Sequence, residues 1–521
     1  MTPPLLWRRS VFFAAGTAVF VTGLFFALVG NVNFNPTEEG YLWYGSLRTA
    51  AGEVPIRDFQ SYDPGRYYWC ALLGNVLGQG LLGLRASVAC FQALGIFFGL
   101  LAARRVLRSD WAMIPVSLLF LAWMFPRHKL FESALSLTAV FFAVRLLEKP
   151  NARRHLEAGM LAGIAGVFGR NHAVYCALGM FCLALAMAWR QRALIRQAHV
   201  PSYLTRFNSL VFGILIGYSP ILLMLLFVPG FAEAFWQSIL ILLKLGANIP
   251  HPWPWPWEYQ WSGLDTLGWV ENVGQAFWFL MPFVVFPIGI VTLLLTKPET
   301  FHRRALFLAG SILGMLYMHH ASVRSDPAHI AQSIDPLLLA VVGVPAAFAW
   351  RLGKARFLVW GLVTLFTFGS TSANHQLLSR RRFQERPRLV EHVLAGDTIR
   401  IAPGLAAYYT KLEKTVREHV PEGERMFFAP SRPAFYAIFD KISPTWWIYF
   451  FVPDLAAETQ NRIVGNLAQV DWILLVDVEI ANQERFRFKN TSRFVWDYLR
   501  HQFQRVATPE LPPDHLLLHR K

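Results

Sequence analysis

The sequence predicts a polytopic α-helical membrane protein of about eleven transmembrane helices, followed by a C-terminal extracytoplasmic α/β domain. Three observations carry that prediction. The chain is 54% hydrophobic and only 16% charged, where a soluble chain would be about a quarter charged. Its apolar residues gather in runs near the length that spans a bilayer. Its Arg and Lys residues mostly gather in short clusters between those runs, as in cytoplasmic membrane loops. That clustering accounts for the net charge of +16 and excludes a nucleic-acid partner.

The elements follow in order. Arg8 and Arg9 precede an apolar run from Val11 to Val29. The run is longer than a signal-peptide core, so it reads as a retained helix entering from the cytoplasm. Further apolar segments lie near 67–84, 86–104, 111–126, 131–147, 156–169, 172–189, 208–228, 276–296, 305–318, 332–350 and 357–373. If all of them spanned, the clusters at Arg104/Arg105/Arg108, Arg145/Lys149/Arg153/Arg154, Arg190/Arg192/Arg196 and Arg303/Arg304 would lie outside, against the positive-inside rule. If 67–84 does not span, all of them fall inside, joined by Arg351, Lys354 and Arg356. That segment also holds Gly74, Gly78, Gly80 and Gly83, which weaken a helix. It therefore reads as juxtamembrane or re-entrant. Failure of 156–169 or 305–318 to span would correct only the later clusters.

This topology divides the chain into a membrane domain, 1–373, and an extracytoplasmic α/β domain, 374–521. External loop 1 occupies 31–85 and a long external loop 229–275. Outside, the chain also places "PRHKLFE" (126–132), "RNH" (170–172) and "HHASVRSDPAHI" (319–330). Arg57, Arg66, Arg127, Lys129, Arg170 and Arg324 are thus cations on the side where basic residues are scarce, near carboxylates. Cations so placed point to an anionic ligand such as a phosphate, for which Arg offers a planar fork of donors.

In the C-terminal region "ERMFFA", "DWILLVD" and "HLLLHR" read as short buried strands, and "LAAYYTKLEKTVREHV" and "AAETQNRIVGNLAQV" as amphipathic helices. No glycine-rich phosphate loop interrupts them. "IPHPWPWPWEYQW" (249–261) alternates Pro with Trp, which favours an extended stretch anchored at the membrane interface; stacking on a sugar ring or a lipid is the alternative. Cys70, Cys90, Cys176 and Cys182 all lie in hydrophobic stretches and form no framework pattern.

Sugar transfer from a lipid phosphate needs such a surface. A carboxylate deprotonates the acceptor hydroxyl, and cations or a metal stabilise charge on the departing phosphate. "PTEEGYLWYGSLRTAAGEVPIRDFQSYDPGRYY" (36–68) carries an acidic pair before Gly, then Gly-x-x-Pro-x-x-Asp and a later Pro. It resembles the first external loop of the GT-C glycosyltransferases, among them the bacterial aminoarabinose transferases and the protein O-mannosyltransferases. "RSDPAH" (324–329) is similar to their late-loop Arg-x-Asp-x-x-His.

The resemblance implies a bacterial inner-membrane enzyme of the GT-C fold with its site facing the periplasm. It implies inverting transfer of a sugar from a polyprenyl-phosphate donor to a lipid, glycan or protein acceptor, in glycolipid or polysaccharide biosynthesis. Glu38 or Glu39 would be the base, although relatives carry Asp at the first position. Asp58, Asp63 and Glu132 would be supporting acids. Arg324 would hold the donor phosphate, assisted by Arg57, Arg66, Lys129, Arg170 and His172. Asp326 and His329 would orient it or bind a divalent cation (Mg, Mn or Ca); the resemblance makes no cofactor certain.

Other readings stand beside these. Glu38 and Glu39 favour a helix N-terminus, Asp63-Pro64-Gly65 is a turn signal, and Arg324 could snorkel to headgroups. A lipid-linked oligosaccharide ligase or oligosaccharyltransferase is the alternative enzyme, although Trp446-Trp447 is followed by Ile448 rather than the Asp of an oligosaccharyltransferase. A lipid-sugar flippase would need polar groups at mid-membrane, whereas helices such as "VSLLFLAWM" carry no charge at mid-depth. The topology has a direct test. With native cysteines removed, an outer-side thiol reagent should label Asp397→Cys and spare Arg105→Cys; the reverse pattern overturns it.

Overall fold

The computed structural model describes residues 3–195, 203–245, 251–297, 300–349, 355–450, 455–479 and 483–521. Of the cytoplasmic cluster residues named above, Arg196, Arg351 and Lys354 lie outside them. In chain order the helices are α1 (Pro3–Val29), α2 (Glu38–Ala50), α3 (Pro64–Leu77), α4 (Leu81–Ala103), α5 (Met113–Trp123), α6 (Leu130–Glu148), α7 (Ala152–Phe168), α8 (Arg170–Ile195), α9 (Tyr203–Phe227), α10 (Phe231–Leu245), α11 (Thr266–Leu295), α12 (Phe301–Val323), α13 (Pro327–Ala331), α14 (Asp335–Ala347) and α15 (Ala355–Asn374). There follow α16 (Arg380–Glu385), α17 (Pro403–His419), α18 (Ala434–Ile438), α19 (Ala457–Leu467), α20 (Phe488–Thr491) and α21 (Arg493–Gln502). The strands are β1 (Val390–Leu394), β2 (Asp397–Ile401), β3 (Met426–Ala429), β4 (Trp472–Val476), β5 (Phe503–Arg505) and β6 (His515–Arg520).

Among the described residues, seven helices are long and apolar enough to cross a membrane: α1, α4, α6, α8, α9, α11 and α12. The other four expected spans, at 111–126, 156–169, 332–350 and 357–373, are also helical, as α5, α7, α14 and α15, but α5 and α14, at 11 and 13 residues, are by themselves shorter than a span, so the described helices of spanning length are fewer than the eleven expected. The expected juxtamembrane segment is α3, whose 14 residues end at Gly78 with φ +94°. Fourteen residues rise only about 21 Å, short of the hydrocarbon thickness.

The chain forms two compact units, each assembled from separate stretches. The first comprises residues 1–29, 88–224 and 250–384; the second comprises 30–87, 225–249 and 385–521.

In the first unit, α12 packs against α14, α6, α11 and α8, and its face from Ala305 to Leu313 is buried. α7 and α9 cross through reciprocal glycines. A Cβ on Gly159 or Gly163 would lie 2.1 and 2.3 Å from the carbonyls of Leu210 and Ile214, and one on Gly213 or Gly217 2.3 and 2.0 Å from those of Leu156 and Met160. Both helices thus carry a Gly-x₃-Gly face, the small-residue spacing that lets backbones approach in a membrane. The Trp-rich stretch packs on α11: Trp253 and Trp255 meet the ring of Phe283 at 5.5 and 5.2 Å, and Trp255 stacks on Trp257.

In the second unit, the expected strands β3, β4 and β6 join β5 in a sheet of order β3-β4-β6-β5, with β3 and β4 parallel and the rest antiparallel. Every residue of β3 and β4 is buried, which explains their continuous apolar runs. β1 and β2 add a hairpin that turns at Ala395-Gly396, both at positive φ.

External loop 1 belongs to this unit and is stitched to the C-terminal region by backbone bonds. Asn33 N donates to Arg400 O, Arg400 N to Asn31 O, Ala434 N to Pro36 O and Gln60 N to Trp446 O. "SPTWWIYFF" supplies core: Trp447, Ile448 and Phe450 are buried. Helix α10 lies in what the sequence reads as a long loop; Pro229-Gly230 starts it, and its spacing is amphipathic.

Replacing Gly217 by Leu should weaken the α7–α9 crossing by about 1–3 kcal/mol, the usual cost of overpacking. A lower melting temperature in detergent checks this, with Gly361→Leu, whose Cβ meets nothing within 4 Å, as the neutral control.

Candidate active site

The second unit holds the acidic pair. Asn35 opens α2: its Oδ1 accepts the N–H groups of Thr37 and Glu38 at 3.1 and 3.0 Å, while its own N–H donates to Glu39 Oε2 at 3.1 Å. This reciprocal arrangement works as a capping box does. Arg85 then takes both oxygens of Glu39, Nε to Oε1 at 2.9 Å and Nη2 to Oε2 at 2.8 Å. Its remaining donors reach Gly30 O and Asn33 O at 2.8 and 2.6 Å. The two side chains are 1% and 8% exposed.

Glu38 is exposed, with a contact from Asn35 Nδ2 at 3.4 Å. The pair therefore divides: Glu39 serves the helix start, and Glu38 faces solvent. Gly40 follows for a packing reason, since a Cβ there would lie 2.4 Å from the backbone of Ala434 in α18.

The other loop-1 residues are arranged as follows. Arg57 forks onto Asp58, Nε to Oδ1 at 2.7 Å and Nη2 to Oδ2 at 2.8 Å, and Nη1 donates to Pro229 O. Asp58 also accepts from Val54 N at 2.7 Å, closing the Gly-x-x-Pro-x-x-Asp turn. The Arg57 guanidinium bonded to it holds the Asp58 carboxyl below its usual range. Asp63 stands at the N-cap position of α3 and is buried. Arg66 is 3% exposed, with its guanidinium 5.0 Å from the Tyr62 ring centroid.

The first unit gathers the remaining site residues around α12 and α13. Lys129 lies 3.7 Å from Glu132, which is buried at the start of α6. Both act electrostatically on His320, whose Nε2 lies 3.2 Å from Gln332 Oε1. The His320 ring is 5.3 Å from that of His329 and 6.2 Å from that of His172. His172 is buried beside Tyr317, and Arg170 begins the same helix, α8.

Asp326 caps α13. Its Oδ1 accepts the N–H of His329 at 2.9 Å and lies 2.8 Å from His329 Nδ1, while its Oδ2 pairs with Arg324 at 2.6 Å. Burial alone would raise the Asp326 carboxyl; the His329 hydrogen bond and the Arg324 charge outweigh it and hold the group at about 2. It is a carboxylate at any neutral pH. A carboxylate accepts only, so Nδ1 of His329 carries the proton in this bond.

Three residues of these clusters were passed over in the sequence. Arg85 stands alone between two apolar runs, and Asp335, fully buried beside Ser133 and Ser136, opens an apolar helix. An isolated charge in apolar sequence was the available signal. His320 is the less exposed of the adjacent pair His319-His320. Among the described residues no group of three or more His, Cys, Asp or Glu side chains is placed to hold a metal ion.

No protein-family model matches the chain, and no curated protein matches it in sequence. Among solved structures it matches ArnT from Cupriavidus metallidurans, a crystal structure bound to undecaprenyl phosphate. The match covers 98% of this chain and 97% of that one, with a TM-score of 0.52 and 14% identity. The fold is that of ArnT. The fold class read from the sequence, a helical membrane protein followed by a small C-terminal α/β region, is thus the one found.

The Glu39–Arg85 pair yields a stability prediction. Arg85→Ala leaves a carboxylate buried and unpaired and should cost about 3–5 kcal/mol. Adding Glu39→Leu should recover most of that loss. Thermal unfolding of the two proteins in detergent tests the pairing; equal destabilisation would refute it.

Proposed function

We propose that this chain is an inverting membrane glycosyltransferase that moves a sugar from a polyprenyl-phosphate donor to an acceptor hydroxyl on the outer, periplasmic face of a bacterial inner membrane. The observation that carries the reading is the likeness to ArnT over nearly the whole chain, in a structure holding undecaprenyl phosphate. The divided acidic pair supports it, because it leaves one outward carboxylate in the first loop.

Glu38 is the general base. It removes the acceptor proton as the hydroxyl oxygen attacks the anomeric carbon, and the carbon–phosphate oxygen bond breaks with its electron pair leaving on the lipid phosphate. Attack opposite the leaving group inverts the centre.

Arg324 and Lys129 are the donor-phosphate cations, assisted by Arg170 and His172 of the same unit. Asp326 orients Arg324 by holding one edge of its guanidinium, so the other edge is presented to the phosphate as a fork. Asp326 likewise sets the His329 tautomer. Arg57 and Asp58 neutralise one another and Arg66 is buried, so these three shape loop 1 instead of meeting the donor. Glu39, Asp63 and Glu132 support their helix starts. No step is routed through a metal.

Glu38→Gln should lower transfer by roughly 10²–10⁴-fold, as for a positioned general base, with melting temperature unchanged. The measurement is sugar release from purified polyprenyl-phosphate sugar onto acceptor lipid. Normal transfer by Glu38→Gln would remove Glu38 from the role. Arg324→Lys keeps the charge and loses the fork, so donor binding should weaken in it as well as in Arg324→Ala.

A further inference from the structure

A groove in the second unit has the chemistry of a carbohydrate site, and the donor reaction does not use it. Glu233 and Gln237 stand one turn apart on α10, and Glu458, Arg462 and Asn466 stand one turn apart on α19. Residues so spaced share a helix face. All five are exposed and line one cavity of about 1100 Å³.

The same cavity is lined by Trp446 and Trp447, whose rings lie 5.0 Å apart at 83°. The Trp pair is held in place from loop 1. Trp446 Nε1 donates to Ile56 O at 2.8 Å, and Gln60 Oε1 accepts from the N–H groups of Ile448 and Tyr449 at 3.2 and 3.0 Å. An aromatic floor fixed in advance loses little freedom on binding.

The ligand follows from that lining. Carboxylates accept from neighbouring hydroxyls, the Gln and Asn amides both donate and accept, and indole rings pack on the apolar face of a sugar ring. The volume exceeds the usual small-molecule pocket and accommodates more than one ring. The charge excludes an anion: Arg57 is neutralised by Asp58, and the two carboxylates Glu233 and Glu458 outnumber the one remaining cation, Arg462.

We propose that this groove is an acceptor subsite that holds one or two neutral or amino-sugar rings. The assignment to the acceptor rests on the glycosyltransferase reading above. The acceptor is then a glycan or glycolipid, and the groove, by gripping sugar away from the reacting hydroxyl, sets which acceptors are used.

The test is ligand-observed saturation-transfer NMR on the full chain in nanodiscs. The probes are a glucosamine disaccharide, an N-acetylglucosamine disaccharide and a neutral hexapeptide. Ring protons of at least one disaccharide should saturate and the peptide should not. Gln237→Ala combined with Asn466→Ala, both exposed and so tolerated by the fold, should weaken sugar binding about tenfold, as expected for two neutral hydrogen bonds.

Binding of the peptide alone, silence from both sugars, or unchanged sugar binding in the double variant overturns the proposal. Binding is read without turnover, so failure here leaves the transfer reaction standing. Failure of the Glu38→Gln test leaves the sugar-binding result standing.

Discussion

The first loop depends on one buried cation. Arg85 ties the carboxylate of Glu39 to the carbonyls of Gly30 and Asn33, joining the end of one segment, the start of α2 and the start of α4 at a single guanidinium. A buried ion pair is poor evidence of net stability, because desolvation offsets most of its attraction. Its effect is on specificity. Asn33 sits at φ +58°, a conformation Asn tolerates better than most residues, and Arg85 accepts only that path of the chain. With the path fixed, Glu39 is withdrawn and Glu38 is turned outward by the 100° step of the helix.

The first unit repeats the logic with the signs exchanged. There a single carboxylate, Asp326, organises a cation and an imidazole, and its charge persists because both partners favour it. In each unit a buried or half-buried ion fixes local geometry. Adjacent residues of like type, Glu38 and Glu39, therefore have unlike surroundings, one exposed and one buried.

Much of this was legible in the chain. Apolar runs and Arg clusters located the helices, because hydropathy and loop charge act locally. The glycines of 67–84 include the one at which α3 ends, Gly78. The alternating strands of the C-terminal region appear where their apolar runs lie. The division of labour between Glu38 and Glu39 was not legible, since it is decided by Arg85, 46 residues away. The pairing of Arg57 with Asp58 could have been read, being local, but a cation beside an acid looks the same whether it serves a turn or a ligand. Helix α10 was missed because its apolar run follows Pro-Gly inside an expected loop. The β1–β2 hairpin was missed because its short strands carry charges on the exposed face.

The glycine crossing of α7 and α9 bears on how the chain enters the membrane. α7 has 17 residues and carries Arg153, Arg154 and Glu157 in its first turns, leaving a short apolar remainder. Two of its faces meet α6 and α8, which flank it in sequence. The notches at Gly159 and Gly163 are filled only by the backbone of α9, made some fifty residues later. Lipid tails fill such notches poorly, because a chain of methylenes cannot follow a groove cut for a polypeptide carbonyl. During synthesis, then, α7 is incomplete until α9 has emerged, and the two settle as a pair. The stretch between them is translated before the joint can close, so completing this pair of helices is a packing step that follows the emergence of α9.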